Sequence, residues 1–269
     1  MPERLRFCFE LDAVEDVRPW GEPGQQRLHW FGLTSGRYWL ETAAGEALTY
    51  TIEAQQLWEL PSAHVDYQVA RWLEDIQECL PAILEPVPVD IADIVSDSEW
   101  LSRAANWREA ETEEQEMYAR WDLYDDAARW WHDREISTAY LRHGPRFWCW
   151  RIEDDIHLRW KVENNREGDV PVFLVPRSYC RINATEFQTA ACNFCEEVLS
   201  AMQRRVEQIR QEGWRRTDCS VDVSELVREQ QQREIFFSGL RNQCCATDWD
   251  RVRLHLNLLR QKMEEGGAS

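Results

Sequence analysis

The chain has 269 residues, is 43% hydrophobic and 30% charged, and carries a formal net charge of −18. That length supports one large domain or two small ones with a real core, and no run of 18 apolar residues offers a membrane-spanning helix. So acidic a surface repels phosphate backbones and anionic bilayers, which argues against direct nucleic-acid or membrane partners and for a basic protein partner.

Fifteen Trp predict an aromatic-rich core, because each buries a large area. Among 31 basic residues only Lys161 and Lys262 are lysine. Nine scattered Cys, an odd number, follow a start (MPERLRFCFEL) that reads as a charged strand rather than an export signal. Reduced thiols and a cytoplasmic location are the expectation. Without export, the glycosylation acceptor Asn183-Ala184-Thr185 has no meaning.

In chain order, Leu5–Leu11 alternates as a first strand, and Asp12–Gln26 is a loop rich in Pro and Gly. Arg27–Glu41 (RLHWFGLTSGRYWLE) predicts a β-hairpin: the runs Leu28–Leu33 and Tyr38–Leu40 flank a turn at Thr34-Ser35-Gly36. Ala47–Ile52 adds a strand, making a four-strand antiparallel meander. After Pro61-Ser62 the period turns helical, with Val65, Val69, Trp72, Ile76 and Leu80 on one stripe and a break at Pro81. Glu85–Pro88 is a stiff connector. Ser98–Ile136 is helical again, with stripes Trp100/Ala104/Trp107 and Met117/Trp121/Tyr124/Ala128/Trp131. The polar stretch Arg108–Glu116 between them is either a solvated middle or a break.

The strand period returns at Ser137–Leu141, in a hairpin over Arg146–Glu163 turning at Glu153-Asp154-Asp155, and at Val170–Val175. Thr185–Gln188 reads as a capping box opening a long helix with Phe187, Ala191, Phe194, Val198, Met202, Val206 and Ile209 in register, ended by Gly213. A strand-like Cys219–Val223 leads to a helix capped by Ser224 and running to about Phe237. The last helix carries Trp249, Val252, Leu256, Leu259 and Met263, and Glu264–Ser269 should fray. The fold class is α+β: two antiparallel meander-plus-helix units, resembling a duplication, with a helical insert and C-terminal helices. The divisions are 1–88, 89–136 (acidic and Trp-rich), 137–216 and 217–269, forming one globular unit.

Several segments together resemble a bacterial family of unknown function. They are Asp16–Gly21 (DVRPWG), Leu28–Trp39 (LHWFGLTSGRYW), Val65–Tyr67, Leu80–Pro88 and Arg228–Arg233 (REQQQR). The likeness runs from the N-terminus to about residue 240. It supports the division into elements and implies no activity, cofactor or catalytic residue.

Phosphate loops, dinucleotide fingerprints, zinc-protease and nucleophile-elbow motifs are absent from the sequence. Asp122, Asp125 and Asp126 share a helix face and could hold Mg²⁺, but no partner carboxylate set is evident. Cys192 and Cys195, with Cys180, Cys219 and Cys244-Cys245, could be zinc ligands, but a pair inside a long helix reads better as buried small hydrophobes. The six His are isolated. The sharpest site is acidic: Glu109, Glu111, Glu113, Glu114, Glu116, Asp122, Asp125 and Asp126, with Tyr118 as an aromatic contact. The expectation is a cofactor-free, protein-binding module, in concrete form an immunity-type inhibitor that occludes a basic toxin. The alternatives are a metal-dependent enzyme and a regulatory or scaffold protein.

Overall fold

The computed structural model describes residues 5–96, 98–240, 243 and 245–266. The first sheet is built on β2 (Ser35–Thr42), an eight-residue strand whose alternate residues Gly36, Tyr38 and Leu40 are buried. β1 (Arg6–Leu11) pairs with one edge of β2. Along the other edge β3 (Gly45–Ala47) and β4 (Val65–Gln68) lie end to end, all antiparallel.

The expected hairpin over Arg27–Glu41 does not form. Its second half lies within β2, while Leu28–Thr34 turns inward and ends in a 3-10 turn at Gly32–Thr34. Trp30 and Leu33 are fully enclosed, and Arg205 donates to the carbonyls of Leu33 and Asp12. Burial of those two side chains, with a guanidinium to satisfy the backbone, outweighs strand pairing. Gly36 is therefore not a turn residue. A Cβ there would stand 2.2 Å from the Glu10 carbonyl oxygen, so glycine is what lets β1 and β2 cross closely.

The expected strand Ala47–Ile52 stops at Ala47. Leu48 adopts a left-handed φ of 67°, and Thr51 caps α1 (Ile52–Leu57) by accepting from the Ala54 amide at 3.1 Å. α2 (Val69–Leu84) buries Val69, Trp72, Ile76 and Leu80 as the periodicity requires, but Val65 lies in β4. Pro81 does not end the helix. Ala82 and Ile83, which follow it directly, are buried, and their packing outweighs one missing backbone hydrogen bond. The insert is three helices, α3 (Val89–Ser96), α4 (Ser98–Glu109) and α5 (Glu114–His132), so the polar stretch is a break at 110–113.

The second sheet has the order β10-β7-β6-β5, with β5 (Glu135–Ser137), β6 (Arg146–Ile152), β7 (Asp155–Lys161) and β10 (Arg177–Asn183) antiparallel throughout. The strand expected over Ser137–Leu141 is the earlier β5. The one expected over Val170–Val175 reduces to β9 (Val170–Pro171), paired in a small ribbon with β8 (Arg166–Glu167). β10 escaped the periodicity reading because only Cys180 and Ile182 of its seven residues are buried apolar groups.

α6 (Ala184–Glu212) buries all seven residues of its expected stripe. It is capped by Asn183 rather than by a box at Thr185, and it ends at Gly213 with φ 77°. α7 (Val223–Leu240) and α8 (Trp249–Gly266) are capped by the carboxylates of Asp222 and Asp248. Asp222 takes the role expected of Ser224. Cys244 and the last three residues of the expected frayed end lie outside the described residues.

Two apolar cores result. The larger joins residues of both sheets with α2, α6 and α7, through Tyr38, Trp72, Phe147, Trp160 and Phe194. The second packs α3, α4, α5 and α8 against the other face of β6, through Trp100, Trp130, Trp131, Trp148 and Trp150. β6 is thus buried on both faces. The fold is α+β.

Candidate functional site

The acidic residues sit on the α4–α5 hairpin, which two arginines staple. Arg108 lies 5.0 Å from the Trp121 ring centre and 4.4 Å from that of Tyr124, and its guanidinium donates to Glu109. Arg120 lies 5.1 Å from the Trp107 ring and donates to the Trp107 carbonyl at 3.2 Å and to Glu116 at 2.6 Å. Cation–π contacts contribute about 0.5–1 kcal/mol each at such sites. Glu114 and Glu116 lie in the first turn of α5, where the helix dipole favours carboxylates. The Glu116 carboxyl is held below its ordinary range by Arg120 and then by Thr112.

Glu109 and Glu116 are thus turned to neighbouring arginines. Asp126 faces α8, 3.3 Å from Arg251 and 3.8 Å from His255. Glu111, Glu113, Glu114, Asp122 and Asp125 have no ion pair among the described residues. Glu114, Tyr118, Trp121 and Asp125 recur at i, i+4, i+7 and i+11, so they form one outward stripe with Asp122 beside it. Tyr118 is 59% exposed and Trp121 42%. The stripe reads carboxylate, Tyr, Trp, carboxylate. Trp121, first assigned to the buried face, belongs to it. Among the described residues no three His, Cys, Asp or Glu side chains are grouped to hold a metal ion.

A second concave feature was not legible in the sequence. Where α7 crosses α2 there is an open groove of about 650 Å³, lined by Glu74, Gln77, Glu78, Glu229, Arg233 and Phe236 among others. Beneath it two sequence segments singled out above meet. The Trp30 indole N–H donates to Gln230 Oε1 at 2.7 Å, and Arg233 lies 4.1 Å from the Trp30 ring centre. Arg233 also bridges Glu74 and Glu229. Gln230 is almost fully buried and donates to the Leu199 carbonyl at 3.0 Å, so this network ties α7 to α6 and to the inward loop.

The buried titratable groups lie elsewhere. Tyr38 donates to Tyr140 at 3.1 Å, and Asp75 lies beside both this pair and Arg71, the latter at 3.3 Å. Burial pushes the Asp75 carboxyl up to about 6, and it raises both tyrosines above their ordinary value. Cys192 and Cys195 face the larger core as small hydrophobes, and all eight described cysteines are free thiols. Burial first, and nearby acidic groups second, push Cys79 up to about 12. That leaves its thiol protonated.

The fold and these surfaces define a two-sheet α+β chain with an acidic helical hairpin packed on the second sheet. The profile of the family of unknown function DUF5984 matches residues 6–255, and the chain belongs to that family. No curated protein and no solved structure matches it. No described helix is long and apolar enough to cross a membrane.

Proposed function

We propose that the protein is a binding module that engages a basic protein partner through the outward stripe of α5. The observation that carries this reading is the pair of exposed aromatics, Tyr118 and Trp121, set between carboxylates that have no ion pair among the described residues. Tyr and Trp are the side chains that concentrate binding energy at interfaces, and uncompensated carboxylates steer a basic surface to them. The Arg108 and Arg120 staples support it further, since a preorganised hairpin loses little entropy on docking. In its most concrete form the partner is a basic toxin domain, and the chain is an immunity-type inhibitor that occludes it.

The test is affinity capture from native cells with wild-type protein, Tyr118→Ala, and a double variant Asp122→Arg/Asp125→Arg, each washed at low and high salt. A basic partner should be retained by wild type. Tyr118→Ala should weaken it by about tenfold, a typical hot-spot cost. The double variant should slow association and flatten the salt dependence. Equal retention of the partner by all three proteins refutes the reading.

A further inference from the structure

The outer face of the second sheet inverts the charge of the molecule. Strand register places its residues in rows: Arg146–Lys161–Arg177, Trp148–Arg159–Tyr179 and Trp150–His157–Arg181. Trp131 of α5 covers the β6 end of these rows. Tyr179, on β10, is exposed.

Arg159 stands at the boundary. Its guanidinium carbon lies 5.4, 5.6 and 5.8 Å from the ring centres of Trp148, Trp150 and Trp131. It has no hydrogen bond or ion pair among the described residues. The carboxylates around it are committed elsewhere. Glu135, opposite Trp148 on β5, is held by Arg146 at 2.5 and 2.6 Å, Asp155 is drawn to Arg181, and Glu163 to Lys161. Arg177, one row away, also lacks an ion pair among the described residues. Beside Arg159 the indole N–H groups of Trp148 and Trp150, both more than nine-tenths buried, have no acceptor among the described residues. His157 stacks on Trp150 at 5.3 Å and shares a 2.7 Å hydrogen bond with Tyr179.

A half-buried guanidinium on an aromatic wall, with no anion, has only cation–π contacts to offset its desolvation, and burial pulls its pKa down. An arginine fork matches a carboxylate or phosphate in two parallel hydrogen bonds. We propose that this face is a binding site for a small organic oxyanion, phosphate or carboxylate. Arg159 is the anchoring fork, Arg177 the second cation, and Tyr179 the flat contact for the ligand's ring. The site lies away from the acidic stripe and does not rest on the function proposed above.

The test is titration calorimetry of the full chain at low salt with phenyl phosphate, benzoate and inorganic phosphate, repeated on Arg159→Met and Arg177→Met. The two aryl probes separate phosphate from carboxylate preference, and inorganic phosphate shows what the ring adds. One equivalent should bind. Arg159→Met should weaken binding by about tenfold or more, the range for hydrogen bonds to a charged group. The melting temperature of unliganded Arg159→Met should lie within about 2 °C of wild type or above it, because relief of the buried charge offsets the lost cation–π contacts. Should that variant fail to fold, Arg159→Lys and Arg177→Met carry the test, and each should weaken binding severalfold. The proposal is overturned by no binding of any probe at about 10 mM or by undiminished affinity in the variants.

Discussion

Replacing Asp75 by Asn should stabilise the protein at neutral pH, and only there. Asp75 is 8% exposed, its Oδ2 has no hydrogen-bond partner, and its carboxyl is lifted from 3.8 to about 6, chiefly by burial. The folded protein therefore holds a proton that the unfolded chain releases between those two values. The stability this contributes is fully present below pH 3.8, falls as pH rises through about 6, and is absent above it. The difference corresponds to about 3 kcal/mol. Asn does not titrate and has nearly the same shape as Asp. It forfeits the pairing with half-exposed Arg71, worth at most about 1 kcal/mol. The expected net gain is about 2 kcal/mol at pH 8, or about 4–8 °C in melting temperature for a chain of this size. Urea unfolding of wild type and Asp75→Asn at pH 8 and pH 4 measures it. The curves should separate at pH 8 and draw together at pH 4. A variant less stable at pH 8 would mean that Asp75 is a charged, stabilising partner of Arg71, and the burial argument would fail.

Gly36→Ala should cost at least about 3 kcal/mol, since its Cβ would meet the Glu10 carbonyl oxygen at 2.2 Å and the β1–β2 pairing would have to open. Loss of β signal by circular dichroism with unchanged helix content checks it. Arg134 is fully enclosed, donates to the Trp130 carbonyl at 2.6 Å and to Glu85 at 2.7 Å, and links the two cores. Arg134→Met should cost about 3–5 kcal/mol, because it strands the Glu85 carboxylate, which is also held by Thr247. Adding Glu85→Gln should recover part of that loss in thermal unfolding.

The long helix over Ala184–Glu212 was legible residue by residue, because a stripe repeated over about six turns admits no other period. The tryptophan stripe of α5 was legible for the same reason, apart from Trp121, whose helical phase fits either face. The hairpin over Arg27–Glu41 was misread because an apolar run of six residues is equally a strand or an inward loop. Which one it is depends on Arg205, some 170 residues away in the chain, supplying the hydrogen bonds. The acidic residues were visible as a charge run, but their division into paired and outward-facing members was not. That division depends on where Arg108, Arg120 and Arg251 fall in space.

Sequence alone therefore determined the fold class, the amphipathic helices and the sign of the charge, since periodicity and composition are local properties of the chain. Tertiary structure decided what lies next to what. It closed Trp30 onto Gln230 and Arg233, buried β6 on both faces, and set Arg159 on three tryptophan rings with no carboxylate among the described residues. Pairing energies act over a few ångströms between residues far apart in the chain, and no local pattern encodes them.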